Sequence, residues 1–279
     1  MANNHPFLLR GWSRLEDKKL NSYSYSRLKS FFNCKYYYYE HYYAKELPEE
    51  SHGTSEFGSF VHEILEKYGR GELEPFEMLD YYKEHYYENV VSDFTLQMGV
   101  DFSRDMADSY YQKGYEFLEN FNGFDFTFIE VERNFELPYK NKFLINGKID
   151  VIAKDEDGNL MVIDYKSKGG WKNKAEKEEY RKQLYFYAYA VKQLYGEYPK
   201  KMAFYMFRSD KWTWFNFKEY EMQEVMDWAE STVEQIESEI DFYPCTDTLK
   251  YEPDPAKHFN FFCANFCGIR HLCKYNESL

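Results

Sequence analysis

Residues 144–167 are the part of this 279-residue chain with the least freedom in how they fold. Two β-rich runs, LINGKIDVIAK and LMVIDYKS, flank the turn cluster Asp155-Glu156-Asp157-Gly158-Asn159, a pattern that predicts a β-hairpin. With the turn centred on Asp157, Asp150 lies opposite Asp164 and Lys148 opposite Lys166. Side chains alternate along a strand, so Asp150, Asp164 and Lys166 share one face. Opposed Cβ atoms sit about 4.5–5.5 Å apart, and two carboxylates at about 5 Å repel by about 3 kcal/mol at an effective dielectric near 20. The intervening positions Ile149, Val151 and Ile163 are apolar and commit the other face to a core. A foldable chain places that repulsion beside its core only if a cation relieves it. A hard divalent ion with oxygen ligands does so, and Mg²⁺ is the usual choice where phosphate is the substrate. Lys166 would then stand beside the ion, where its ammonium can stabilise charge developing on a phosphate. The bland alternative is an ordinary hairpin with solvated Asp and Lys side chains.

Helical and strand patterns alternate around the hairpin. Residues 23–47 read as a helix start, capped by Ser24 or Ser26, followed by a Tyr-rich stretch. Over 54–68, Phe57, Val61, Ile64, Leu65 and Tyr68 recur at helical spacing. Two more helical stretches fill 75–121, and 124–139 opens with strict alternation, the period of a strand. A helix over 175–195, strands at 201–208 and 212–218 around Ser209-Asp210, and a helix over 219–240 follow. Strands with helices to cover them predict an α/β domain with a mixed central sheet. The whole of 1–279 reads as one domain, with 69–122 as a helical insertion and 241–279 as a Cys-rich tail.

Thirty-five Lys and Arg against 48 Asp and Glu leave a net charge of −13, which disfavours a protein coated all over by nucleic acid. Residues 166–182 run against that trend, with seven basic and three acidic side chains. Such a patch can track a phosphate backbone, and Trp171 within it can stack a base. No apolar run approaches the roughly 18 residues of a membrane span, and the first 25 residues lack the apolar core of a signal peptide. The expectation is a cytoplasmic protein with no membrane partner. Five cysteines, an odd number without an export signal, make a disulfide framework a poor reading.

Gly147-Lys148-Ile149-Asp150, then Val162-Ile163-Asp164-Tyr165-Lys166, then Gln183-Leu184-Tyr185-Phe186-Tyr187 stand in order along the chain. This series resembles the PD-(D/E)XK nuclease superfamily in its RecB-like branch, with the G-x-x-D, hydrophobic-D-x-K and Q-x-x-x-Y elements. Upstream, Gly58-Ser59-Phe60-Val61-His62 looks like the helix that supplies a histidine ligand in that branch. The resemblance runs from about residue 23 to 273 and implies a restriction-endonuclease-like core. It implies His62, Asp150, Asp164 and the backbone carbonyl of Tyr165 as ligands of Mg²⁺ or Mn²⁺. It implies Asp150, Asp164 and Lys166 as the catalytic set, with Gln183 and Tyr187, one helical turn apart, positioning the strand or the attacking water. Glu130 and Glu132, on the strand before the hairpin, are further candidate carboxylates.

Cys263, Cys267 and Cys273 near the C-terminus, with Cys34 far upstream, resemble the iron–sulfur staple of some RecB-like nucleases, the AddB-type helicase-nucleases and CRISPR-adaptation nucleases among them. The resemblance implies a [4Fe–4S] cluster held by four thiolates that joins the tail to the N-terminal helix. Two departures, the three-residue first spacing and Lys35 after Cys34, keep a Cys₄ zinc site open as the alternative. Cys245 is then a spare thiol.

These features together predict a metal-dependent deoxyribonuclease, an exonuclease acting on single-stranded or end-exposed DNA. The alternatives are a non-catalytic DNA- or protein-binding module, or a subunit of a recombination or CRISPR-adaptation complex that cuts only in assembly. The Tyr-rich segments 36–43 and 81–87 are candidate contacts for such a protein partner.

Overall fold

The computed structural model describes residues 20–95, 100–239, 242, 263 and 267–273. Six strands make one mixed sheet: β1 (Ser22–Tyr23), β2 (Thr127–Tyr139), β3 (Phe143–Lys154), β4 (Leu160–Lys166), β5 (Lys201–Met206) and β6 (Lys211–Asn216). The helices are α1 (Tyr25–Asn33), α2 (Lys35–Tyr39), α3 (Gly53–Gly69), α4 (Pro75–Asn89), α5 (Val100–Asn120), α6 (Lys174–Tyr195) and α7 (Glu219–Ser238). Strand order is β1-β3-β4-β5-β6, with β2 on β3. The chain is α/β, with a mixed central sheet between helices, as the alternation of periods predicts.

Each face of the sheet buries its own core. Ile145, Ile149, Ile152, Val162 and Phe204 pack with Leu28 of α1, Leu184 of α6 and Met226 of α7. On the opposite face Val151, Ala153, Ile163, Tyr165 and Tyr205 pack with Val61 and Leu65 of α3, Tyr82 of α4 and Phe117 of α5. The aromatic richness of the chain goes largely into these layers: Tyr36, Tyr38, Tyr82 and Tyr86 of the two Tyr-rich segments are buried, while Tyr39, Tyr43 and Tyr87 are exposed. Ser24 caps α1, its Oγ accepting from Arg27 N at 3.1 Å, one of the two caps that the sequence offered.

The hairpin has the expected register but a shorter ladder. Val151, Ile152, Ala153 and Lys154 face Ile163, Val162, Met161 and Leu160, the pairing of a turn centred on Asp157. Asp155 organises that turn: its Oδ1 accepts from Asp157 N at 3.1 Å and Asn159 N at 2.9 Å. The Asn159 backbone bond leads the pull that brings the Asp155 carboxyl down to about 2. Pairing ends one step before Asp150 and Asp164. Lys148 does not face Lys166, as the idealised hairpin would have it; it stands across from Asn134 on β2 and pairs with the carboxylate of Glu132.

The ladder stops because β3 divides one of its edges. Its other edge carries β2 over the full length, from Tyr139–Phe143 to Thr127–Lys154. On the divided edge β1 takes Leu144 and Ile145 in parallel, and β4 takes 151–154. Among the described residues no strand covers the stretch 146–150 between them. Backbone polar groups in such a fork need other partners, and the fork opens at Asp150.

Gly147 leaves room for a neighbouring ring. A Cβ at that position would come within 2.8 Å of the Phe135 ring. Among the described residues no helix is long and apolar enough to cross a membrane. Residues 267–273 lie against the segment before α3: Glu50 N donates to Gly268 O at 2.9 Å, and Arg270 Nη2 meets Glu50 Oε2 at 3.4 Å. Cys245 lies outside the described residues.

Candidate active site

At the fork, Asp150 turns its carboxylate toward β4. Its Oδ2 accepts from Tyr165 N at 2.8 Å, a side-chain bond where the interstrand ladder would otherwise continue. Asp150 is buried, and burial, followed by the charge of Asp164, holds its carboxyl well above the carboxylate range. The like-charge conflict inferred from the sequence is therefore present in the fold.

Asp164 is buried to 2 % side-chain exposure, with Lys166 Nζ 2.5 Å from its Oδ2. Its Oδ1 accepts from the Tyr187 hydroxyl at 3.0 Å. Lys166 Nζ also donates to Gln183 Oε1 at 2.9 Å, and Gln183 Nε2 donates to Tyr187 Oη at 2.8 Å. Asp164, Lys166, Gln183 and Tyr187 thus close a ring of polar contacts between β4 and α6. The spacing of 183 and 187 puts both on one turn of the helix face that meets the strand. Burial pushes the Lys166 ammonium toward neutrality, but Asp164 and Asp150 outweigh it and its pKa is raised. Tyr187 is at once a core aromatic, packed edge-on to Phe135, and a hydrogen-bond donor to the site.

His62 reaches the fork from α3, Nδ1 3.6 Å from Asp150 Oδ2, with its ring edge-on to Tyr165 and Phe207. Burial pushes its pKa down to about 4, with Asp164 pulling the other way. A neutral imidazole with a lone pair is the ligand-competent form. Close approach of α3 to β4 is set by Gly58, where a Cβ would meet Ser167 Oγ at 3.0 Å.

Glu132 joins this group, and Glu130 does not. Ligand atoms of His62, Glu132 and Asp150 all lie within 4.8 Å of one another. Glu132 has φ +51 in the middle of β2, a left-handed conformation that costs a non-glycine residue about 1–3 kcal/mol and concentrates at functional sites. Both strands lose their alternation there: Ile149 and Ile152 face one core, while Val131 and Phe135 face opposite cores. The sequence carries a trace of this, since the apolar phase of 124–137 changes from even positions (124, 126, 128) to odd ones (131, 135, 137). Glu130 instead pairs with Tyr195 and Arg133. Trp171, read as a base-stacking residue, is half-buried: its indole donates to Thr213 Oγ1 at 3.0 Å and packs on Phe204.

Two clefts open onto the site, of about 610 and about 470 Å³, and share His62, Lys148, Asp150, Tyr165 and Lys166. Ser24, Asn134 and Asn146 border the first, and Ser167, Lys168 and Tyr180 the second. Three ligand-type side chains, a second buried aspartate and a lysine held against it meet where both clefts do. That constellation is of the kind that metal-assisted hydrolases use.

Comparison with known proteins agrees. A family model for the PD-(D/E)XK nuclease superfamily matches residues 22–274, and the chain belongs to that superfamily. Over 158 residues it is 27% identical to a subunit of the ATP-dependent helicase/deoxyribonuclease of Streptococcus pyogenes serotype M49. It is 29% identical to the like-named protein of Streptococcus agalactiae serotype Ia. Each match takes in 52% of this chain and 14% of the relative. A crystal structure of SSO0001 aligns over 93% of this chain and 88% of its own at 14% identity and a TM-score of 0.32, a likeness too loose to carry weight. The superfamily uses divalent metals, and His62, Glu132 and Asp150 offer one a place.

Cys34, Cys267 and Cys273 come near one another at the other end of the N-terminal helices. Cys34 caps α2, its Sγ accepting from Tyr37 N at 3.4 Å. The Cys267 thiol is pushed up to about 11, by burial first and with Cys34 and Cys273 among the further causes. Residues far apart in sequence are thus close enough to repel one another as thiolates.

Proposed function

We propose that this chain hydrolyses phosphodiester bonds of DNA with a divalent cation, Mg²⁺ or Mn²⁺, as an exonuclease on single-stranded or end-exposed strands. The observation that carries the reading is the buried Asp150–Asp164 pair with Lys166 clamped to it. His62, Asp150 and Glu132 would hold the ion, with Asp164 and the Tyr165 carbonyl completing the expected set. When bound, the cation polarises the phosphoryl oxygen and lowers the pKa of water. The remaining work falls to the protein. Lys166 presents its ammonium to charge developing on the phosphate. Gln183 and Tyr187 fix Asp164 and Lys166 in one geometry, which removes the need to reorganise them during reaction. His62, kept neutral by burial, needs no proton removed before it ligates.

Asp150 is the residue at which stability and activity oppose each other. In EDTA at pH 8, Asp150→Asn should be more stable than the wild type by about 2 kcal/mol, since it deletes a like-charge repulsion of that order. A carboxyl raised in the folded state is costly above its folded pKa and costless below the unfolded value near 4. The advantage should therefore shrink as pH falls toward 4, and saturating Mn²⁺ should reverse it. Thermal melts from pH 4 to 8 check this; an Asn variant less stable than wild type at pH 8 in EDTA would show that the pair carries no such strain.

We further propose that Cys34, Cys263, Cys267 and Cys273 hold a [4Fe–4S] cluster, with zinc as the alternative, that 1–279 is one nuclease domain, and that 69–122 is an insertion in it. Neighbouring thiols supplied from residue 34 and from 267–273 support the first. The matched relatives are named as subunits, and this chain spans 14% of their length, which favours a second reading: cleavage that requires a larger assembly. Digestion of end-labelled single- and double-stranded DNA with Mg²⁺ or Mn²⁺ tests the activity. Metal-dependent trimming from ends supports the exonuclease reading; binding without cleavage at any metal concentration defeats it for the chain alone.

A further inference from the structure

Lys29, on α1, lies against Tyr180, which borders the second cleft, and belongs to none of the sequence motifs. Its Nζ lies 3.5 Å from the centroid of the Tyr180 ring. Lys168 Nζ is 4.6 Å from the same centroid and Lys166 Nζ 5.4 Å. Three ammonium groups therefore gather around one aromatic ring, and one of them is clamped to Asp164 of the fork. Like charges this close, on half-buried side chains, destabilise a fold unless anions answer them.

Two of the three are answered from within the chain. Lys166 has Asp164 and Gln183, and Lys168 pairs with Glu176. Lys29 has no hydrogen bond or ion pair among the described residues; its contacts are the faces of Tyr180 and Tyr25. The acidic side chains nearest to it are already engaged, Glu179 by Lys182 and Glu176 by Lys168 and the Lys172 backbone. Burial, with Lys166 and Lys168 adding to it, pushes the Lys29 pKa down to about 8 despite those two glutamates. A half-buried cation over an aromatic ring, beside a phosphate-processing centre and with no acid bonded to it among the described residues, is what a phosphate subsite looks like before its anion arrives.

We propose that Lys29, with Lys168 and the Tyr180 ring, binds the phosphate adjoining the one that is cut, and so holds the strand in register across Asp150 and Asp164. This deepens the nuclease reading and rests on it for the identity of the anion. The phosphate is either an internal one of the strand or a terminal phosphomonoester, two sources of the same chemistry. Lys29 is here a positioning residue and Tyr180 the wall that it is held against. The two clefts share Asp150 and Lys166, so a strand lying across them would pass the fork with a phosphate on the Tyr180 side.

The test separates binding from cutting. Affinity of the full chain for a fluorescent single-stranded oligonucleotide is measured in Ca²⁺ and in EDTA, at several salt concentrations, for wild type, Lys29→Met and Lys29→Arg. Lys29→Met should lower affinity about 5–10-fold at 100 mM salt and reduce the slope of log K against log salt by about 0.7, the share of one single-strand phosphate contact. Lys29→Arg, which keeps the charge, should restore the slope, and equal melting temperatures show that all three are folded. Oligonucleotides with and without terminal phosphates tell the sources apart: a Lys29 effect equal on both supports an internal phosphate, and one confined to phosphorylated ends supports a terminal one. Affinity and slope unchanged in Lys29→Met on every oligonucleotide would overturn the subsite, even with the wild type cutting DNA. A Lys29-dependent affinity in a wild type that never cuts would leave the subsite standing and defeat the nuclease reading.

Discussion

Asp164→Asn and Lys166→Ala should each lower Mg²⁺-dependent cleavage of single-stranded DNA by about 10³–10⁴-fold, or about 4–5.5 kcal/mol of transition-state stabilisation. The two side chains touch at 2.5 Å, so each substitution removes one charge and also frees its partner. Losing the lysine leaves Asp164 buried beside Asp150 with no cation. Losing the carboxylate charge leaves Lys166 anchored by Gln183 alone. Groups that act as one unit are strongly non-additive, and the double variant should cost little more than either single one. Gln183→Ala and Tyr187→Phe act through the other two and should cost less, about 10–100-fold. Single-turnover cleavage with the protein in excess over DNA and above the Kd, alongside melting temperatures, makes the measurement. Full activity in folded Lys166→Ala would remove the chemical case for this centre.

Removing Cys34 should abolish the proposed metal cluster and loosen the whole domain. A link between residues 34 and 267 closes a loop of about 230 residues, worth about 5 kcal/mol in the loop-entropy terms used for disulfides. At about 2–4 °C per kcal/mol for a domain approaching this size, Cys34→Ser should melt about 10–20 °C lower. The contacts between Glu50 and residues 268–270 already hold the tail in part, which puts the expectation toward the lower end. Anaerobically purified wild type should absorb in the visible and carry four irons. Cys34→Ser should be colourless, and Cys245→Ser should keep the colour. A colourless wild type loaded with zinc would replace the iron–sulfur assignment with a Cys₄ zinc site. A metal-free wild type as stable as Cys34→Ser would dismiss the staple altogether.

Much of the molecule was legible from its residues. Alternation around the Asp155–Asn159 cluster determined the register of β3 on β4, because a one-residue slip would turn every buried side chain to the wrong face. The period of 3.6 placed α3, α6 and α7 to within a few residues, since apolar stripes leave few other ways to be buried. His62, Asp150, Asp164, Lys166, Gln183 and Tyr187 stand around one centre, as the family resemblance implied. Trp171 suits a base as well as a core; the fold shows it half-buried and tied to the neighbouring strand through Thr213, contacts that no local pattern announces.

What the sequence could not determine is where strands stop. The β4 ladder ends at Val151, and β1, more than 100 residues upstream in the chain, takes the same edge of β3 only at 144–145. Between them the fork is open, Asp150 bonds the Tyr165 amide, and Glu132 joins the group while Glu130 stays out. Lys29 reaches Tyr180 only because α1 packs on α6. Local pattern decides which faces are apolar, and so decides the elements. The site depends on carboxylates and cations brought within a few ångströms by long-range packing, and no local pattern carries that distance.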